Sequence, residues 1–144
     1  MEIDDYNPEW DYKIDKNPPK KLVEFVNKII LDLTKVRKTL SLGNIRLSYI
    51  KDDREDALAR YINGTYSNPY IVLNIDAFNQ STNIGRDLEM TIVHELIHAY
   101  LESKGLDTSE HDEDVVEEAT VEYMDFRDPV DIINYIKNCY PYLN

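Results

Sequence analysis

The stretch TIVHELIHAYLE, Thr91 to Glu102, constrains this chain more than any other. Ile92, Val93, Leu96, Ile97, Ala99, Tyr100 and Leu101 surround it with apolar side chains, so it reads as a helix buried on nearly every side. Inside that helix stand His94, Glu95 and His98, and the chain has only 3 histidines in all. Unsatisfied polar groups in such a place cost on the order of several kcal/mol. Helix positions i and i+4 share a face about 6 Å apart, so both imidazoles can reach one ion at about 2.0–2.1 Å from each nitrogen. Glu95 lies about 100° further round the helix. That is awkward for a ligand but suited to a base acting on a water at the ion. Burial and spacing together predict one zinc ion per chain, with His94 and His98 as ligands and Glu95 as general base.

The rest of the chain reads as a frame for that helix. At 144 residues it fits one domain, entered by an extended arm over residues 1–17 and running from 18 to 144. Asn17-Pro18-Pro19 starts a helix over about 19–41, with Leu22, Val26, Ile29, Leu33, Val36 and Leu40 at helical spacing and Gly43-Asn44 as its stop. Strands are expected at 45–50, 57–63 and 70–75, the last two as a hairpin-like pair. Helices follow at about 84–104, 111–126 and 129–138. The predicted class is α+β, with an N-terminal helix, a small, mostly antiparallel three-stranded sheet and C-terminal helices.

Charge and cysteine content narrow the partners. A net charge of −12 disfavours nucleic acid, and the cluster Lys35-Val36-Arg37-Lys38 reads as a solvated helix face. No apolar run is long enough to span a membrane. The acidic N-terminus lacks the apolar region of a secretory signal. The single Cys139 cannot form an internal disulfide, which suggests a reducing, cytoplasmic setting. Tyr6, Trp10 and Tyr12 are expected to pack on the domain surface. Occupancy of the active cleft by this arm or by the tail Tyr140–Asn144 is the alternative, and would make the protein latent.

A catalytic zinc takes a third protein ligand and keeps one position open. The candidates downstream are His111, Glu113, Glu117 and Glu118. If Val115, Val116, Ala119, Tyr123 and Phe126 mark the core side of the 111–126 helix, Glu118 falls at its edge and Glu113 and Glu117 largely opposite. Glu118 is then the preferred ligand. Glu122, on the same face, could accept the free ring N–H of a ligand histidine.

His94-Glu95-Leu96-Ile97-His98, nineteen intervening residues and then Glu118-Ala119-Thr120-Val121-Glu122 resemble the gluzincin metallopeptidases. The Glu-Ala pair and small size are also similar to minimal gluzincins of the ImmA/IrrE and phage-encoded kind. The resemblance covers roughly residues 70–126. It implies a compact zincin-like domain, zinc held by His94, His98 and Glu118, and hydrolysis of a peptide or protein substrate lying along the strand before the active helix. Tyr100, Tyr123, Tyr135, Tyr140 and Tyr142 are the candidates for holding the oxyanion. A rival resemblance is to SprT-like proteases, through His94 to Leu101, with His111 as third ligand. Its usual Gly-His-Gly is here Glu110-His111-Asp112, and no basic region or cysteine zinc ribbon accompanies it. A catalytically silent zinc-binding interaction module is the reading from another class, and an intact Glu95 favours the enzyme over it.

Overall fold

A computed structural model describes residues 6–7, 12–54, 57–62, 67–78 and 82–143. The fold is α+β, as the sequence predicts. A short antiparallel ladder, β1 (Tyr6–Asn7) with β2 (Tyr12–Lys13), precedes α1 (Lys20–Asp32) and α2 (Thr34–Thr39). Then come β3 (Arg46–Ile50), β4 (Ala59–Ile62), β5 (Tyr70–Asn74), α3 (Ile75–Phe78), α4 (Ile84–Ser103), α5 (Glu113–Phe126) and α6 (Pro129–Cys139).

The sheet departs from the mostly antiparallel expectation. Its order is β3-β5-β4, with β3 parallel and β4 antiparallel to the central β5. The hairpin-like β4–β5 pair is therefore present, and β3 adds a non-local parallel partner. All of β5 is buried, and its period of two divides the apolar groups between two faces. Ile71 and Leu73 join the main core with Leu88, Ile92, Leu96 and Ile97 of α4. Tyr70 and Val72 pack on the other face with Ile50, Ile62 and Ile14. Ile14 is held there because the Asp15 amide donates to the Tyr49 carbonyl at 2.6 Å. The arm thus anchors through Ile14 and Asp15; Trp10 and the side chains of Tyr6 and Tyr12 lie outside the described residues.

The expected helix over 19–41 is broken at Leu33. The Thr34 hydroxyl donates to the Leu31 carbonyl at 2.8 Å, a local bond that competes with the helical ladder. Buried Val26, Leu33, Val36 and Leu40 still keep one face to the core. The stop comes earlier than Gly43, at Ser41, which adopts a left-handed φ of 58° while the Leu42 amide reaches back to the Arg37 carbonyl at 3.0 Å. Gly43 serves close approach instead: a Cβ there would lie 1.7 Å from the Ser67 carbonyl oxygen.

α4 runs through the middle of the molecule. Asn83 caps its start, and its buried set comprises Leu88, Ile92, Val93 and everything from Leu96 to Leu101. It packs against β4 on one side and α5 on the other. Those two neighbours bring the remaining polar groups to its histidines.

Candidate metal centre

His94 and His98 stack one turn apart on α4 as expected, with Nε2 atoms 3.3 Å apart. The Glu113 carboxylate, from the first turn of α5, closes the group. Its Oε2 lies 3.2 Å from His94 Nε2 and its Oε1 lies 2.9 Å from His98 Nε2. These are the only described residues whose ligand atoms form such a cluster. The fit to a metal can be tested on the spacing alone. Donors at about 2.0–2.1 Å in a tetrahedron stand about 3.3 Å from one another. Each of the three contacts lies near that edge length, with the carboxylate reaching the two rings through different oxygens, and one ligand atom from each residue lies within 4.8 Å of the others; two imidazoles and one carboxylate suit a divalent metal such as zinc.

Charge state favours ligation as well. Burial pushes His98 down to about 4, a shift that nearby Glu113 only partly offsets. The ring is therefore neutral at neutral pH, the form in which an imidazole binds metal. On the outer side of His94, Nδ1 lies 3.2 Å from Glu117 Oε2, so a carboxylate can take its ring N–H and direct the Nε2 lone pair at the cluster.

Glu95 stands beside this group. Its Oε1 accepts the Tyr61 backbone N–H at 2.7 Å, and its Oε2 lies 4.0 Å from His94 Nε2. Burial raises its pKa, opposed by the Tyr61 hydrogen bond and by the charges of His94 and Arg60. A carboxylate so placed accepts a proton more readily than an exposed one.

Clefts open on both sides of His94 and Glu95. One, of about 490 Å³, is lined by Ala57, Ala59, Ala77, Met90, Thr91 and Glu117 among others. The second, of about 330 Å³, is lined by Arg60, Tyr61, His98, Thr108 and Glu113 among others. β4 forms a wall common to both, since Ala59 borders each. In the antiparallel pattern the Leu58 carbonyl accepts from Asn74, so Ala59 and Tyr61 turn their backbone groups away from β5 and towards the clefts.

The acidic residue that joins the histidines is not the one expected. Glu118 is not in the cluster: its carboxylate accepts a hydrogen bond from the Tyr135 hydroxyl of α6. The cause is the phase of α5. Phe126, taken as a core residue, is 69% exposed, whereas Thr120 and Met124 are buried. The true inner face is rotated towards them. Glu113, Glu117, Thr120 and Met124 follow the i, i+4, i+7, i+11 rule of one helical stripe, which meets α4. Glu118 turns to the opposite flank, and Glu122 makes no hydrogen bond to either ligand ring. His111 touches His98 but not the cluster: its Nδ1 lies 2.9 Å from His98 Nδ1, across the ring from Nε2.

None of the five oxyanion candidates lines either cleft. Tyr100 and Tyr123 lie against Lys104 and Arg127, Tyr135 serves Glu118, Tyr140 accepts the Asp112 amide at 2.9 Å, and Tyr142 is exposed. The cleft instead holds Arg60 and Tyr61, which sequence reasoning passed over as sheet residues. Their signal was the alternation of β4, which sends Arg60 and Tyr61 to opposite sides of a strand bordering α4.

No helix among the described residues is long and apolar enough to cross a membrane. No protein-family model, curated protein or solved structure matches the chain.

Proposed function

We propose that this protein is a zinc-dependent metallopeptidase of the zincin type, with Glu95 as general base and His94, His98 and Glu113 as metal ligands. The observation that carries the reading is the convergence of His94, His98 and the Glu113 carboxylate, at contacts of 2.9 to 3.3 Å, beside a largely buried carboxylate, Glu95, that no ligand role requires.

Bound there, zinc would act as a Lewis acid and lower the pKa of a coordinated water to about 7. The chain's own groups supply the rest. The Tyr61 amide fixes one oxygen of Glu95, which leaves the other free to take a proton and return it to the leaving amine. Ala59, whose backbone faces away from β5 and borders both clefts, offers an extended peptide a main-chain hydrogen-bond partner. Arg60 adds a positive charge to one end of an otherwise acidic cleft. The substrate class is accordingly an unfolded or extended peptide segment. The exposed, unpaired Cys139 and the acidic charge fit a reducing compartment such as the cytoplasm, and a protein rather than nucleic-acid partner.

Hydrolysis of unstructured peptides by the wild type and by Glu95→Gln, at matched zinc content, tests this. The proposal expects cleavage by the wild type and a fall of about 100-fold or more in the variant. Zinc binding with no cleavage by either protein would instead identify a silent zinc-binding interaction module.

A further inference from the structure

We propose that His111 is a positioning residue: its Nδ1 lone pair accepts the Nδ1 proton of His98 and so holds His98 in the tautomer whose Nε2 faces the metal. The inference rests on the zinc reading above and adds to it a group outside the ligand set.

The chain of bonds starts at a backbone carbonyl. Leu106 O can only accept, and His111 Nε2 lies 3.0 Å from it, so the His111 proton sits on Nε2. With its proton on Nε2, His111 presents a lone pair at Nδ1. That atom is 2.9 Å from His98 Nδ1. Without metal, the Glu113 oxygen 2.9 Å from His98 Nε2 competes for the His98 proton; with zinc held by His94, His98 and Glu113, the proton belongs on Nδ1 and the Nε2 lone pair is free for the ion. The geometry suits such a bond. The two rings are inclined by only 18° with centroids 5.1 Å apart, the separation of imidazoles joined edge to edge through nitrogen. The N–H and the lone pair therefore lie close to one plane.

The loop before α5 is built to hold His111 in that place. α4 ends with Gly105 at a φ of +96°, and the Leu106 amide returns to the Leu101 carbonyl at 3.1 Å. This turn buries Leu106 and aims its carbonyl at His111. Asp107 and Glu110 then form a capping box around a single 3-10 turn, Thr108–Glu110. Beyond His111, Asp112 caps α5 while its own amide donates to the buried Tyr140 hydroxyl. A surface histidine without a task needs none of this.

The two ligand rings are thus steadied by different groups, His94 by the Glu117 carboxylate and His98 by the His111 imidazole. A ligand role for His111 is a distinct alternative, and nuclear magnetic resonance separates the two. The probe is protein labelled with nitrogen-15 and loaded with cadmium-113 in place of zinc. Scalar coupling to cadmium is expected at Nε2 of His94 and His98 and not at His111, with the His98 proton on Nδ1. His111→Phe removes the acceptor and should weaken zinc binding by about 10- to 100-fold in competition with a chromophoric chelator. His111→Gln, which restores an acceptor oxygen, should recover most of that loss, while metal-free unfolding stays alike in the two variants. Cadmium coupling to His111 would overturn the inference, as would unchanged affinity in His111→Phe or equal weakening by both variants. If the wild type takes up neither zinc nor cadmium, the zinc reading itself fails, and that is seen before any variant is made.

Discussion

The backbone amide of Tyr61 donates to the Glu95 carboxylate at 2.7 Å, which joins the edge strand to the middle of the metal-site helix. Because this amide faces away from β5, its loss leaves the sheet ladder intact. Tyr61→Pro should therefore keep the sheet ladder and the zinc, lose some stability through the missing core ring of Tyr61, and release Glu95 from its fixed orientation. A hydrogen bond to a charged group contributes about 1.5–3 kcal/mol, so peptidase kcat should drop by about 10- to 100-fold. Steady-state kinetics with metal analysis on the same samples checks it; unchanged kcat at full zinc would show that Glu95 needs no such tether.

The carboxylates of α5 divide by helix phase. Glu113→Ala should lose zinc, because it removes one member of the donor cluster. Glu118→Ala should keep its zinc and only loosen the surface link to Tyr135. Metal content after gel filtration decides between them, and the opposite pattern would move the third ligand to Glu118.

Metal should stabilise the fold, since its ligands come from two helices that separate on unfolding. At a free zinc concentration of about 100 times Kd, the gain is about 2.7 kcal/mol. For a chain of this size that corresponds to a rise in Tm of roughly 5–10 °C. A chelator should reverse the rise, and His98→Ala should show neither effect. Calorimetric scans of the two proteins with and without zinc provide the measurement.

Tyr49 carries the one buried side-chain polar atom without a hydrogen-bond partner among the described residues. Tyr49→Phe should accordingly stabilise the protein, by about 1 kcal/mol. Burial raises the Tyr49 pKa above its ordinary value of 10.0. The folded state then holds this proton more tightly than the unfolded state, so stability falls as pH rises through about 10. Tyr100 and Tyr123 are raised in the same direction. The Phe variant should therefore lose part of the alkaline decline, not all of it, in urea unfolding compared at pH 8 and pH 11.

Much of this was written in the sequence, but unevenly. α4 was legible because its apolar spacing and its His-Glu-x-x-His spacing agree, and both are local. β4 and β5 were legible as a hairpin for the same reason. The parallel β3–β5 pairing was not, since it joins segments across β4 and leaves no local trace. The inner face of α5 was misjudged through one residue, Phe126, whose apolar side chain stands in solvent and pulled the inferred face away from Thr120 and Met124, so that Glu113 and not Glu118 lies beside the histidines. The His98–His111–Leu106 chain of bonds emerges only when the loop after Gly105 is folded back on α4.

The inner strand β5 shows two greasy sides, and among the described residues the helices of the main core pack on one of them. Ile14, latched beside β3, roofs part of the second over Ile50, Tyr70 and Val72. Proteolytic trimming to Asn17 would strip that roof and bare a flat apolar plate. The shortened protein should then clump with itself.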